Sequence, residues 1–475
     1  MYRDKKLAKS FTEGPLFFKI IAYAVPIMLT SILQTLYNMA DHIVVGQFSG
    51  DTLALAAVGS TGSLTSLLVN LLIGISAGTG VVVAQSYGAK HYDMVSRATH
   101  TSIAFSLLGG IVFMIIGILI AEPALVLMNT KPELLSRATL YIRIIFCGIP
   151  ASAVYNFSAA TLRSVGDSKT PLIILSSAGI LNVLFNLFFV IVCKMSVAGV
   201  AIATIISQYA SAVAVLAVLI KRKDQCYAFS FSKARIDPLV LKRVLRFGVP
   251  AGIQGSMFSI SNVLLSAASN TFSTVDISAK TIIGNLDGIC YNAMNSYTHA
   301  TMTVVAQNYG ARKPERINKS FLYCLLQVAV LGITLGQLLI LVGNPVMSLF
   351  IDPADPNKDI ILEKAFDLLS FMLSDYFLCG IMEMLSGALR GLGYSMTPMI
   401  ISLCGICGIR ILWIYTFFPM EQFNTMKGLF YAYPVSWGLS ILALSITCII
   451  AWRRLRKLFV RSEPALEKSV NEAAI

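Results

Sequence analysis

Long apolar runs recur from one end of the chain to the other, separated by short stretches rich in Gly, Pro and charged residues. A helix that crosses the hydrocarbon core of a bilayer needs about 20 mainly apolar residues. The pattern therefore predicts twelve membrane-spanning helices joined by short connections. These helices are predicted at residues 18–42, 54–84, 98–121, 138–160, 172–193, 199–220, 247–270, 281–308, 320–342, 366–388, 398–419 and 428–451.

The composition agrees with an all-α membrane protein. Of the 475 residues, 56% are hydrophobic and only 13% are charged, whereas a water-soluble domain is about one quarter charged. This excludes a soluble enzyme, a disordered protein and a nucleic-acid binder. The nine cysteines lie at irregular positions, several inside apolar runs, which is not the pattern of a disulfide framework. We expect no cofactor and no nucleic-acid partner.

The distribution of basic residues predicts how the chain is oriented. If both termini are cytoplasmic, 28 of the 37 Lys and Arg residues fall in cytoplasmic segments and 7 in outer loops. Basic residues are retained on the cytoplasmic side during insertion. We therefore expect a multi-pass protein of the inner (plasma) membrane with both termini inside. The net charge of +13 then faces anionic lipid headgroups.

The two halves of the chain repeat each other. The segment Ala-Gln-Ser-Tyr-Gly-Ala-Lys at 84–90 returns as Ala-Gln-Asn-Tyr-Gly-Ala-Arg at 306–312. The pattern Leu-Arg-x-x-Gly-x-Ser-x-Thr-Pro at 162–171 returns at 389–398. The repeats predict two pseudo-symmetric six-helix bundles. The expected divisions are an N-terminal lobe (1–220), a cytoplasmic linker (221–246), a C-terminal lobe (247–455) and a polar tail (456–475).

This kind of repeat points to transport. A six-span unit begins and ends on the same side, so the two copies are parallel, as in secondary transporters that bind substrate between their halves. Two bundles duplicated for stability alone remain an alternative. We expect no enzyme: Gly74-Ile75-Ser76-Ala77-Gly78 fits a hydrolase nucleophile pattern, but that motif needs a strand-to-helix turn. Here its glycines are expected to let helices pack closely.

Acidic residues inside the predicted spans are the first candidates for function, because burying an ionised side chain in hydrocarbon costs about 3 to more than 10 kcal/mol. On the first span, Thr30, Gln34, Asn38 and Asp41 follow at spacings of four, four and three, which places them on one stripe of a helix. We regard Asp41 as the leading candidate.

Three polar residues on later spans can complete a site around Asp41. Asn182 and Asn186 are four residues apart on the fifth span, and Thr204 lies on the sixth. One carboxylate among amide and hydroxyl oxygens suits Na⁺. It suits a proton equally, because desolvation favours the protonated carboxyl. A polar seam that only joins helices by hydrogen bonds is the structural alternative.

These residues and the paired loops resemble the MATE (multidrug and toxic compound extrusion) transporters. The resemblance rests on the proline-bearing first span ending in Asn38-Met39-Ala40-Asp41 and on the doubled loop motifs, and it covers roughly residues 15–455. It implies a V-shaped pair of six-helix lobes in the bilayer. It also implies export of small amphipathic, often cationic compounds in exchange for H⁺ or Na⁺ by alternating access. We expect a monomer.

The resemblance also implies which residues bind the ion. In the branch of the family with an acid on the first helix, the matching positions are Asp41, Asn182, Asn186 and Thr204. Many relatives have a second aspartate where this chain has Asn186. The change leaves Asp41 as the sole acid within the predicted spans of the N-terminal lobe, so sodium affinity is expected to be lower and the identity of the ion stays open.

The second lobe offers further candidates for contact with substrate. Glu383 lies near where another branch of the family keeps an acid, but Arg410 on the next span could simply neutralise it. Soft aromatic and Met side chains beside acids suit cationic drugs. The residues expected to line the cavity are Gln34, Tyr37, Asn38, Met257, Asn262, Asp287 and Glu383.

A flippase for lipid-linked oligosaccharides or lipids, which shares a related architecture, is the closest rival. Such a protein would be expected to line its cavity with several basic residues for phosphate groups. Apart from Lys19 at the start of the first span, the predicted spans contain only Arg143 and Arg410 as basic residues. This scarcity of basic residues favours the drug exporter.

Overall fold

The computed structural model describes residues 10–48, 53–128, 130–348, 351 and 356–472, and the regular secondary structure of these residues is helical throughout. Two segments are π-helical, Phe188–Val192 and Leu403–Gly408, and two are short 3₁₀ turns, Phe231–Lys233 and Glu421–Phe423. The α-helices are α1 Leu16–Phe48, α2 Ala54–Gly88, α3 Tyr92–Leu127, α4 Pro132–Cys147, α5 Ile149–Ser164, α6 Lys169–Leu187, α7 Ser196–Lys221, α8 Pro238–Ser269, α9 Thr274–Gly310, α10 Pro314–Leu341, α11 Gly343–Ser348, α12 Lys358–Ser374, α13 Tyr376–Gly391, α14 Met396–Ser402, α15 Ile409–Thr416, α16 Met426–Phe430 and α17 Ala432–Glu472.

Each of the twelve predicted spans falls on helical residues. Within the described part of the chain, eight helical stretches are long and apolar enough to cross a membrane, and the pairs α4–α5 and α12–α13 bring the number to ten as bent spans. The other two predicted spans coincide with α8 and α9. These helices have 32 and 37 residues, which is ample length for a crossing, but they carry more polar residues.

Two spans that the sequence predicts as continuous are broken. Residues 138–160 bend by 44° between α4 and α5, and residues 366–388 bend by 41° between α12 and α13. The first break follows from Pro150 in the first turn of α5, because proline lacks an N–H for the preceding turn. At Gly148 a Cβ would lie 2.0 Å from the side-chain oxygen of Gln208, so a larger residue at this corner would require the Gln208 side chain to move.

The described chain divides into two compact units. Unit 1 contains residues 22–87 and 91–263, and unit 2 contains residues 10–21, 88–90 and 264–472. Helix α1 therefore begins in unit 2 and continues in unit 1. The lobe, linker and tail boundaries drawn from the sequence stay a prediction, and residues 1–9 and 473–475 lie outside the described part.

Glycines let helices approach closely within each unit. In unit 1, a Cβ on Gly74 would lie 2.3 Å from the backbone of Gly252, and one on Gly78 would lie 2.2 Å from a backbone oxygen of α8. In unit 2, a Cβ on Gly332 would lie 2.7 Å from the backbone of α13, and one on Gly336 would lie 2.6 Å from the backbone of α12. The packing role predicted for Gly74 and Gly78 is confirmed.

The repeated loops have the same backbone conformation in both halves. Lys90 and Arg312, which end the two copies of the first motif, have φ of 59° and 52°. Gly166 and Gly393, in the two copies of the second motif, have φ of 93° and 94°. Left-handed backbone at matched positions shows that the duplication extends from sequence to local structure.

Candidate ion-coupling and substrate site

The carboxyl group of Asp41 lies at the centre of a polar network in unit 1. Asp41 is half-buried in the last part of α1, and the side-chain amide of Asn186 on α6 donates a hydrogen bond to its Oδ1. Asn186 is fully buried. The predicted candidate acid and its predicted amide partner are therefore in direct contact, although 145 residues separate them in the sequence.

The network continues from α6 to α7. Asn186 Nδ2 also lies 3.2 Å from Asn182 Oδ1, and Asn182 Nδ2 lies 3.4 Å from Thr204 Oγ1. The Thr204 hydroxyl lies within hydrogen-bond distance of the carbonyl oxygen of Val200, at 3.0 Å, and of Asp41, and its single proton is donated to one of them at a time. All four residues that the sequence assigned to ion coupling thus form one connected set on α1, α6 and α7.

One oxygen in this network is unused. Asn186 Oδ1 is buried and has no hydrogen-bond partner, which is costly for a polar atom unless a ligand satisfies it. None of the ion pairs formed by the described residues involves Asp41. A carboxylate, amide oxygens and a hydroxyl are the donors that a hard monovalent cation prefers, and the same carboxylate can take a proton.

Apolar residues pack beside the network, next to the turn of α1 that comes after Asp41. Val44, Val45, Val190 and Val200 are buried in one cluster, and Tyr141 of α4 packs against it. Tyr141 also lies close enough to Asp41 to interact with it electrostatically. Apolar walls keep the dielectric constant low, so the presence or absence of one charge on Asp41 has a large effect on free energy.

The remaining predicted residues of α1 do not share one environment. Thr30 is buried and donates to the carbonyl oxygen of Pro26 at 2.7 Å, whereas Gln34 and Asn38 are exposed. Tyr37 is half-buried: its hydroxyl donates to the carbonyl oxygen of Ser176 at 3.1 Å. A Cβ on Gly179 of α6 would lie 1.8 Å from the Tyr37 ring, so this ring packs directly on the α6 backbone.

The candidates on α8 also belong to unit 1. Met257 is half-buried and Asn262 is exposed. Their assignment to the wall of a substrate cavity stays a prediction.

Unit 2 contains a second polar cluster around Asp287 of α9. The hydroxyl of Tyr376, the first residue of α13, donates to Asp287 Oδ1 at 2.6 Å. Tyr376 is buried, and its ring meets that of Trp437 edge to face at 5.5 Å. On either side of Asp287, a Cβ on Gly284 or Gly288 would meet nothing within 4 Å. Asp287 therefore lies beside a stretch of α9 that has open space around it.

Arg410 contributes a positive charge to the same cluster. It is buried, its guanidinium lies 4.2 Å from the ring centroid of Tyr433, and its Nε donates to Ser436 Oγ at 3.4 Å. Its charge also acts on Asp287. The sequence raised Arg410 only as a partner for Glu383.

Glu383 of α13 has hydrogen-bond and charge partners different from those of Asp287. It is buried, accepts a hydrogen bond of 3.2 Å from the Thr298 hydroxyl and has Arg390 as its nearby cation. Arg390 belongs to the second copy of the Leu-Arg loop.

Sequence reasoning missed Tyr376 and Tyr433. Both are aromatic residues within apolar runs, where a core role is the usual expectation. The only available signal was their hydroxyl group, since a buried tyrosine needs a hydrogen-bond partner.

The family model of MatE matches this chain over residues 26–188 and 250–416. The chain belongs to the MatE family. The two matched ranges correspond to the two repeats, and the second begins at Pro250 as the first begins at Pro26. This is a family of multidrug efflux transporters and not a class of enzymes.

Named MatE relatives cover nearly the whole chain. "Probable multidrug resistance protein YoeA" of Bacillus subtilis (strain 168) is 26% identical over 443 residues, covering 91% of this chain and 93% of that protein. "Probable multidrug resistance protein NorM" of Thermotoga maritima is 25% identical over 405 residues, covering 83% and 84%. The multi-pass membrane character predicted from the sequence is supported by these relationships.

Solved MATE structures show the same fold. A MATE crystallised in complex with MaL6 has a TM-score of 0.85 at 20% identity, covering 95% of this chain and 98% of that one. An outward-facing multidrug resistance MATE transporter has a TM-score of 0.83 at 20% identity, covering 95% and 97%. MATE structures have twelve helices in two bundles, so the predicted fold class is confirmed.

Proposed function

We propose that this MatE protein is a secondary antiporter that exports small amphipathic, often cationic compounds in exchange for H⁺ or Na⁺ by alternating access. The observation that carries the proposal is the network around Asp41, in which a single carboxylate is held by Asn182, Asn186 and Thr204 within an apolar shell. A receptor or a purely structural bundle has no use for such a group. The relatives named as multidrug resistance proteins support the choice of substrate class.

In the proposed cycle, an ion that enters from outside neutralises Asp41. The ionised carboxylate accepts hydrogen bonds from α6 and α7, whereas a protonated or Na⁺-bound carboxyl has fewer lone pairs to offer. The ion therefore changes how strongly the second half of α1 is held to α6. Asn186 Oδ1, which is buried and unpartnered, is available to a cation that binds at Asp41. A bend of α1 near Pro26 would then accompany release of the exported compound.

An exchange that moves one net charge across the membrane gains enough energy from the membrane potential for useful export. One elementary charge that moves through 100 mV supplies about 2.3 kcal/mol. This energy corresponds to a concentration ratio of roughly fortyfold.

We propose that Asp287 contacts the cationic part of the exported compound. Its carboxylate accepts a hydrogen bond from Tyr376, whose ring contacts that of Trp437, and aromatic faces attract organic cations. The open space at Gly284 and Gly288 leaves room beside it. Arg410, held against Tyr433, would weaken the attraction for a cation and so favour its release.

The decisive experiment uses purified protein in proteoliposomes with ethidium, a fluorescent lipophilic cation. A sodium gradient and a pH gradient are imposed in turn, and ethidium accumulation is followed. Accumulation driven by one of these gradients supports the antiporter and identifies the ion. If ethidium responds to neither gradient while a fluorescent phospholipid is moved between leaflets, the flippase is the correct function.

Among the basic residues, Arg143 gives little support to the flippase. Its guanidinium forms an ion pair of 3.2 Å with Glu122, and both side chains are exposed. A phosphate-binding role would need this charge to be unpaired and inside a cavity.

A further inference from the structure

The start of α1 is held in place by a short non-helical segment. We call residues Ser10–Gly14, which precede α1, the N-terminal strap. Phe11 of the strap is 1% exposed, and its backbone N–H donates to Gln307 Oε1 at 2.9 Å. Gln307 belongs to the repeated Ala-Gln-x-Tyr-Gly-Ala motif of α9. The strap is therefore docked on a motif to which the proposed transport cycle assigns no role.

Two basic side chains that follow this motif in the sequence form hydrogen bonds with the backbone of the strap. Lys313 Nζ donates to the carbonyl oxygen of Thr12 at 2.9 Å. The Arg316 guanidinium donates to the carbonyl oxygens of Phe11 and Gly14 at 3.0 and 2.9 Å. Bonds from cationic donors are stronger than those between neutral groups. Arg316 bridges two carbonyls at once, which fixes the orientation of the strap as well as its position.

The first turn of α1 is held by the same unit. Gln327 Nε2 of α10 donates to the carbonyl oxygen of Phe17 at 2.9 Å, and the Phe17 ring meets that of Tyr323 edge to face at 5.5 Å. These contacts all lie within unit 2. From Ala22 onward, α1 belongs to unit 1 and leads to Asp41.

The corresponding segment before α8 is also docked, which supports a shared purpose. The N–H of Ser230 donates to His100 Nε2 at 3.1 Å, and the N–H of Asp237 donates to Thr101 Oγ1 at 3.1 Å. Arg97 pairs with the carboxylate of Asp237. Both proline-bearing first helices of the repeats thus begin from an anchored segment, one in unit 2 and the other in unit 1.

We propose that Lys313 and Arg316 are positioning residues for transport. By anchoring the N-terminal strap to unit 2, they fix one end of α1, so that ion binding at Asp41 on the same helix is coupled to export. This inference rests on the proposed antiport function. If the anchor is released, ion binding at Asp41 no longer displaces α1 against a fixed end. Ion movement then continues without equivalent export.

The test compares docking, export and ion flux in the same variants. Thr12 is 7% exposed, so Thr12→Cys reports strap release through its rate of reaction with a hydrophilic maleimide. The background has the exposed and half-buried native cysteines, Cys147, Cys193, Cys404 and Cys407, replaced by serine. Lys313→Gln with Arg316→Gln removes three of the strap bonds. Lys319→Gln, an exposed site on the same helix, is the matched control for loss of charge.

We expect the double variant to label at least tenfold faster and to accumulate at least fivefold less ethidium, while ion flux per protein stays within twofold of the parent. Arg316→Lys, which keeps the charge but loses the two-carbonyl bridge, should fall between. Equal losses of ion flux and export would instead mean a purely structural anchor and would overturn the proposal. So would unchanged labelling, or rapid labelling with normal export.

If the parent protein itself shows no ion-driven ethidium accumulation, the antiport proposal and this positioning role both fail, although labelling still measures docking.

Discussion

Replacing Asp41 by asparagine tests the centre of the proposed mechanism. The change keeps the size of the side chain and one acceptor oxygen. The bonds from Asn186 and Thr204 can therefore persist, each worth about 1 kcal/mol. The variant removes a charge whose burial costs about 3 kcal/mol. Thermal stability should therefore be unchanged or higher by up to about 3 kcal/mol, because the only large term removed is unfavourable.

Export should behave in the opposite way. Exchange of one H⁺ or Na⁺ for one ethidium moves no net charge, so in the parent the ethidium ratio can rise to the imposed concentration ratio of the driving ion. Without a group to discharge, the ratio in Asp41→Asn should fall to about one. Ethidium accumulation in proteoliposomes measures the ratio, and thermal unfolding in detergent measures stability. Asp375→Asn, the same substitution at a half-buried acid of unit 2, is the matched control and should export normally. An Asp41→Asn protein that still concentrates ethidium to the parental ratio would refute the coupling role.

Three further predictions concern other parts of the molecule. Asn186→Asp places a second carboxylate beside Asp41, and titration with Na⁺ should show apparent affinity tighter by at least about tenfold. Tyr376→Phe removes the hydroxyl that donates to the Asp287 carboxylate and should lower stability by about 1–3 kcal/mol, measured by thermal unfolding. Asp167→Asn should weaken the end of unit 1 that carries the first Leu-Arg loop by about 1 kcal/mol at pH 7. Burial acts to raise the pKa of Asp167, but the bonds from Thr170 and Arg222 outweigh it and hold that pKa below its ordinary value.

The sign of the pH dependence follows from this lowered pKa. The contribution of Asp167 is present above its unfolded pKa of about 4 and is lost as pH falls through the lower folded value. The difference between parent and Asp167→Asn should therefore shrink in acid, and a difference that grows in acid would contradict the assignment. Tyr415→Phe, at an exposed position, is the control for Tyr376→Phe. For Asn186→Asp, sodium affinity equal to that of the parent would show that position 186 does not contact the ion.

The fold could be predicted from the sequence because two strong signals agreed. Apolar length located the spans, and the repeated loops at 84–90 and 306–312 divided them into two sets. The breaks at Gly148 and Asp375 were not predicted, because a bend inside an apolar run leaves hydropathy unchanged. Their signals are local: a glycine followed by Pro150, and an aspartate at the junction of α12 and α13.

The candidate site was predictable only where helical spacing was sufficient. Asn182 and Asn186 share a face of α6, so their contact follows from their spacing of four. On α1, Thr30 is buried while Gln34 and Asn38 are exposed, so helical spacing alone does not give the environment of each residue. The pairing of Asp287 with Tyr376 joins residues 89 apart, and no periodicity in one sequence can predict such a tertiary contact.

The left-handed backbone at Lys90 and Arg312 carries a further consequence. An L-residue with a side chain costs roughly 1–2 kcal/mol in that region, and glycine would avoid the cost. Both halves nevertheless place a long basic side chain there. Glycine at these two corners would ease the turns but remove two positive charges from the face that we expect to remain in the cytoplasm during membrane insertion. At these two positions the chain therefore accepts a strained backbone conformation and keeps two basic residues that help to determine its orientation in the membrane.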